Sequence, residues 1–103
     1  MKWDRETVEP AEFIFPPKTI RERDINGLVL RETVVKGIPA MSYHHVELVD
    51  QDHTVANAMQ LSGGWSLTTR AREWPYKNEE YAFRLRKAEA MTRLTTIAAE
   101  YAR

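Results

Sequence analysis

The residues best suited to chemistry in this chain lie between positions 44 and 62. Asp50 and Asp52 stand two apart at the end of Val46-Glu47-Leu48-Val49, with His53 and Thr54 directly after them. Carboxylates so placed can act as nucleophile and general acid–base, or share a cation. His44 and His45 precede them, but neighbours on a strand point to opposite faces, so these two imidazoles cannot hold one ion. His45 and Glu47 share a face, and with Asp50, Asp52 and His53 nearby a loose zinc or manganese site is the furthest this cluster reaches. Zinc-finger spacing and His-Glu-x-x-His are both absent from the sequence. Ser62, within Leu61-Ser62-Gly63-Gly64-Trp65, does not sit in a Gly-x-Ser-x-Gly elbow, and Gly63-Gly64 lacks the lysine of a phosphate loop. The chain has no cysteine, so no thiolate is available. No catalytic set, metal site or cofactor site is complete, and the chain is read as a non-enzyme without cofactor.

The most distinctive stretch for binding is Arg70-Ala71-Arg72-Glu73-Trp74-Pro75-Tyr76-Lys77. Bases of a single-stranded nucleic acid can stack on Trp74 or Tyr76 while Arg70, Arg72 and Lys77 meet phosphates. Trp, Tyr and Arg are equally the residues enriched at protein–protein hot spots, and Trp74 can also simply be core. Trp74-Pro75 is a candidate cis peptide, and an exposed Pro75 is a candidate contact for a prolyl isomerase. The second candidate is Phe13-Ile14-Phe15, an apolar cluster between Pro10 and the pair Pro16-Pro17. It either packs back on its own domain or docks on a partner through Phe13 and Phe15.

Val46-Glu47-Leu48-Val49-Asp50-Gln51-Asp52-His53-Thr54 resembles the first motif of haloacid dehalogenase-type phosphatases, a strand followed by Asp-x-Asp-x-Thr. That resemblance implies Asp50 as nucleophile and Asp52 as general acid–base. It covers ten residues with Val55. Glu47 interrupts the strand that the family keeps apolar, and no aspartate follows Asp52 to hold a magnesium ion. Some fifty residues remain, too few for the rest of a doubly wound fold.

Size and charge set the frame. The 103 residues are one domain by length, with 1–17 a proline-containing N-terminal arm. Hydrophobic residues make up 43% and charged residues 29%, which suits a globular chain. Fifteen basic residues balance fifteen acidic ones, so overall electrostatics do not call for nucleic acid. Residues 1–53 hold 7 Lys/Arg against 10 Asp/Glu, and residues 54–103 hold 8 against 5, a mild asymmetry. No apolar run approaches the roughly 20 residues of a membrane span. No apolar segment follows the basic start, and the expected location is cytoplasmic.

The elements expected to position these groups form an α+β fold. Asp24-Ile25-Asn26-Gly27 predicts a type I′ hairpin with strands near 18–25 and 28–35. That register sets Glu22 opposite Arg31 and Arg21 opposite Glu32, two favourable charge pairs. Lys36-Gly37-Ile38-Pro39 turns the chain into a third strand near 41–49, completing a small antiparallel meander over 18–49. A short helix is expected next, capped by Asp52 or Thr54, running through Val55, Ala58, Met59 and Leu61 and ended by Gly63-Gly64. Residues 65–74 fit strand or helix. A long C-terminal helix over about 79–102 follows, capped by Asn78, with Tyr81, Leu85, Ala88, Met91, Leu94, Ala98 and Tyr101 as its apolar stripe. Some 24 helical residues span about 36 Å, so part of that helix is expected to project and to dock on a partner or a second copy.

Taken together the chain is read as a protein-binding adaptor or inhibitor of a larger protein, with a single-stranded nucleic-acid-binding module as the alternative. In size and style it resembles the small accessory proteins with which bacteriophages bind and redirect host enzymes, nucleases and defence complexes among them. That resemblance implies a host enzyme as the partner.

Overall fold

The local chemistry of one turn organises the structure. In the computed structural model, which describes residues 2–12, 15–37, 42–70 and 78–101 (backbone alone at residues 70 and 78–81), Asn26 and Gly27 both take positive φ, 51° and 75°. These are the dihedrals a type I′ turn demands. They join β2 (Lys18–Ile25) to β3 (Leu28–Val35) in the expected register, with Glu22 opposite Arg31 and Arg21 opposite Glu32. The third expected strand is β4 (Tyr43–Asp50), antiparallel to β3. Between them Ser42 closes the connection, its Oγ taking the Gly37 N–H and donating to the Gly37 carbonyl.

The sheet does not stop there. It has seven strands in sequence order, all neighbours antiparallel: β1 (Arg5–Glu9), β2, β3, β4, β5 (His53–Leu61), β6 (Gly64–Arg70) and β7 (Asn78–Leu85), followed by α1 (Lys87–Glu100). The α+β class holds, and two helical expectations are corrected. Residues 53–61 form a strand rather than a short helix. Val55, Ala58, Met59 and Leu61 recur at helical spacing, but β4 offers a ladder that their backbone takes instead. Ser62 and Gly63 then form the β5–β6 turn rather than a helix stop. Residues 65–70, compatible with either state, are strand.

The long helix expected over 79–102 is the second correction. Its first turns belong to β7, and the helix runs only from Lys87 to Glu100, about 21 Å. Asn78 therefore caps no helix, Glu80 and Arg84 are not a helical pair, and the helix does not project. Its N-cap is Arg86, whose backbone N–H donates to the Glu89 carboxylate at 3.1 Å, half of a capping box without the usual Ser, Thr, Asp or Asn.

Within the N-terminal arm a strand forms at the edge of the sheet. Residues 5–9 are the edge strand β1, and Glu12 pairs with Phe15 through two backbone hydrogen bonds of 3.0 and 2.8 Å. That pair lies on the same register as Glu9 opposite Lys18. The β1–β2 hairpin therefore continues outward past Pro10, Pro16 and Pro17, which cannot donate to its ladder. Phe13 and Ile14 lie outside the described residues. Arg5 ties the edge down with Nη1 and Nη2 on the two oxygens of Asp24 at 2.9 and 2.8 Å, holding the Asp24 carboxyl below its usual range.

Strand alternation and a bulge in the β4–β5 pair decide what is buried. Leu28 and Leu30, Val46 and Leu48, Ala56 and Ala58, Trp65 and Leu67, and Leu85 share one face with Ala90, Leu94 and Ala98 of α1 packed on it. The bulge beside Leu48 and Val49 lets the consecutive Val55 and Ala56 both be buried. The C-terminal end of the helix is held twice: Asn26 Nδ2 donates to the Ala98 carbonyl at 3.0 Å, and the Tyr101 hydroxyl to Asp50 at 3.2 Å. Of the apolar stripe expected along the helix, Leu94 and Ala98 are buried against the sheet, Met91 and Tyr101 are half-buried, and Ala88 is exposed.

Gly64 has φ +130°, and a Cβ there would meet the Leu85 carbonyl at 3.0 Å and Arg84 Cα at 3.1 Å, whereas nothing lies within 4 Å of one at Gly63. Gly64→Ala is expected to destabilise the fold by about 1–3 kcal/mol, and Gly63→Ala by less than about 1 kcal/mol, in urea unfolding of both variants.

Candidate functional site

Because α1 covers one face of the sheet, the opposite face is the place to look for what the protein presents. Register carries two kinds of side chain onto it. One row is ionic: Arg5, Glu22, Arg31 and Glu47 stand opposite one another across β1 to β4. Glu22 accepts from Arg5 at 3.4 Å and from Arg31 at 2.9 Å, and Glu47 accepts from Arg31 at 3.1 Å with His45 Nε2 at 3.9 Å. His45 and Arg31, against the opposing effect of burial, keep the Glu47 carboxyl below its ordinary range. Each charge in this row is matched by its neighbour.

The other set is apolar and exposed. Phe15 is 63% exposed, Tyr43 41%, Met59 42%, Leu61 48% and Phe83 56%. Tyr43 follows the register row Glu9, Lys18, Val35, and Met59 faces His45 across β4 and β5. At the end of this face a groove of ≈ 670 Å³ runs between the hairpin tip and β4, lined among others by Pro10, Phe15, Pro16, Val35 and Tyr43. Its apolar walls and size fall within the range of binding clefts. Glu9, Glu12 and Lys18 complete the rim. An aromatic at each side of an open apolar groove, beside a neutralised charge row, is what a protein interface presents.

On the helix side the chemistry is electrostatic. Glu32, 1% exposed in β3, receives Lys87 Nζ at 2.8 Å and His44 Nε2 at 2.8 Å, with Arg21 Nη1 at 3.7 Å. Burial alone would push its carboxyl up, but the hydrogen bonds from Lys87 and His44 prevail and hold it below the ordinary value. His44 also stands edge-on to Trp65, ring centroids 4.8 Å apart. The two adjacent histidines do face opposite sides of the sheet.

Of the residues singled out in the sequence, Phe15 reaches the exposed groove. Phe13, Arg72, Trp74, Pro75, Tyr76 and Lys77 lie outside the described residues, and Arg70 is described by its backbone alone, ending β6 opposite Asn78. The phosphatase-like stretch forms a hairpin: Asp50 ends β4, Gln51 and Asp52 form a tight turn, and His53 starts β5. The chain folds back directly after the strand, and Asp50 accepts the Tyr101 hydroxyl. Among the described residues, no group of three or more His, Asp or Glu side chains is placed to hold a metal ion, and no helix is long and apolar enough to cross a membrane.

Sequence reasoning does not single out Met59, Leu61 and Phe83 as surface residues: it places Met59 and Leu61 in a short helix and Phe83 within the span of the long one, off its apolar stripe. It also missed the burial of Glu32. The alternation through Tyr43, His45 and Glu47 was the one signal that pointed to this face. Comparison of the chain with protein-family models, with curated sequences and with solved structures gives no match.

Glu32→Gln is expected to destabilise the protein by about 1–3 kcal/mol at pH 7, since it removes charged hydrogen bonds from a buried site. The folded-state pKa of Glu32 is depressed below the unfolded value of 4.5, so its contribution is fully present above about pH 4.5 and is lost as pH falls through the folded value. Urea unfolding of the parent and variant at pH 7 and at pH 3 should show the difference shrinking at the lower pH.

Proposed function

We propose that this chain is a non-catalytic adaptor or inhibitor that binds a larger protein through the uncovered face of its sheet. The observation that carries the reading is the band of exposed aromatic and aliphatic side chains, Phe15, Tyr43, Met59, Leu61 and Phe83, on the side away from α1. A small domain whose helix already packs on the opposite face has no internal use for such a band, and exposed apolar surface of this kind marks interaction sites. The partner is a protein presenting an apolar segment to the groove between Phe15 and Tyr43. Shape and apolar contact select it, because the ionic row beside the groove is neutralised internally. The mode of action is that of the phage accessory proteins the chain resembles in size: occupation of a larger enzyme's surface, with no chemistry of its own.

The test is co-purification from the native host with a C-terminal tag at about 0.3 M salt, with and without nuclease, where apolar contacts persist and phosphate contacts weaken. A stoichiometric protein partner is expected to survive nuclease. Tyr43→Ala and Phe83→Ala, each checked for an unchanged circular dichroism spectrum, should each weaken its binding by about 30-fold, the effect of losing an aromatic hot spot. Undiminished capture by the double variant, or recovery of nucleic acid alone, would overturn the reading, and the latter would favour a single-strand-binding role.

A further inference from the structure

The helix side of the sheet carries a second feature, independent of the binding face. α1 starts at Lys87 and leaves the strand ends beyond it bare, and there a cleft of ≈ 430 Å³ opens, lined by Pro17, Thr19, Arg21, Glu32, Val34, Lys36, His44 and Lys87. Three positive charges, Arg21, Lys36 and Lys87, stand in its wall beside Glu32, and Glu6 holds Arg21 Nε at 2.8 Å from outside it, so three cations face two carboxylates and a surplus of one positive charge remains.

The carboxylate does not exhaust the donors around it. An ammonium has three N–H donors and a guanidinium five. Lys87 spends one contact on Glu32, at 2.8 Å, while Arg21 reaches the same carboxylate at 3.7 Å. Lys36 is exposed at the far wall from the helix start. Glu32 therefore acts as a buried anchor that holds a lysine, an arginine and a histidine at fixed positions around one hollow. Fixed donors bind an anion better than free ones because less side-chain freedom is lost on binding.

A second hollow of ≈ 430 Å³ adjoins the first. It shares Arg21, Glu32 and Lys87 and adds Trp3, Ala88 and Met91. Trp3 and Met91 are half-buried against the core, one a flat aromatic surface and the other an adaptable thioether. The two hollows thus form one site with a cationic end and an apolar end.

We infer that this site binds a small amphipathic anion, a phosphate or carboxylate group carried on a flat apolar body. The anionic group lies among Arg21, Lys36, His44 and Lys87, and the apolar body lies against Trp3 and Met91. Attraction to the cationic end is partly screened by salt, and contact at the apolar end is not.

Phenyl phosphate, titrated into the full-length protein and followed by 1H–15N correlation spectra, tests the site. Saturable shifts are expected at Thr19, Arg21, Val34, Lys36, His44, Lys87 and the Trp3 indole, with a dissociation constant on the order of 1 mM or tighter. Inorganic phosphate is expected to bind more weakly, having no apolar body, and benzoate reports whether a carboxylate serves in place of the phosphate. Lys36→Gln, which leaves the Glu32 contacts in place, should weaken phenyl phosphate about tenfold, whereas Arg93→Gln, outside both hollows, should change nothing. The inference is overturned by shifts that fail to saturate, by shifts scattered over the surface, or by equal affinity in the Lys36 and Arg93 variants.

Discussion

A single helix must cover a sheet much wider than itself, and the rest of the structure follows from that mismatch. Seven strands at about 4.8 Å spacing make a sheet about 29 Å across, while a helix with its side chains is about 10 Å across. One face therefore receives α1, which packs chiefly on β4, β5 and β6, and there Ala56 and Ala58 share one buried cluster with Ala90 and Ala98. Among the described residues no helix packs on the other face. Its polar half is stabilised by a row of matched charges, Arg5, Glu22, Arg31 and Glu47. Its apolar half remains exposed, and the proposed interface is built there.

Such a short helix also needs its ends fixed. At its C-terminal end Asn26, the residue that makes the β2–β3 turn possible, donates to the Ala98 carbonyl, and Asp50 accepts Tyr101. At its start Lys87 reaches the buried carboxylate of Glu32. The residues that shape two hairpin ends thus also seat the helix, so strand register and helix position are set together. A buried carboxylate is a costly thing to leave unpaired. Gathering Lys87, His44 and Arg21 about Glu32 satisfies it and, as a consequence, lines the uncovered end of the helix-side face with positive charge.

The two faces then differ in kind. The face away from the helix is apolar and neutralised, suited to a protein surface that tolerates salt. The end of the helix face is cationic and hollow, suited to something small and anionic. Both are consequences of incomplete cover, and neither requires a catalytic group. The acidic pair Asp50 and Asp52, the most chemically suggestive residues of the sequence, is taken up by a hairpin turn and by the helix anchor.

What the sequence determined by itself was local. Asn26-Gly27 specifies a turn whose dihedrals few other pairs accept, and that turn sets the register of β2 and β3 down to their charge pairs. Met91, Leu94, Ala98 and Tyr101 mark a helix face with no competing pattern, and the prolines around Phe15 mark a segment that cannot be central strand. Tertiary pairing decided the rest. Tyr81 and Leu85 are four apart, a spacing that serves a helix and an alternating strand alike, and only the open edge of β6 makes 78–85 a strand. Ala56 and Ala58 favour helix by intrinsic propensity, yet they sit in a strand because β4 and β6 flank them and α1 needs room above. Whether Tyr43, Met59, Leu61 and Phe83 face water or core depends on which side of the sheet the helix occupies, a long-range choice that no local spacing encodes.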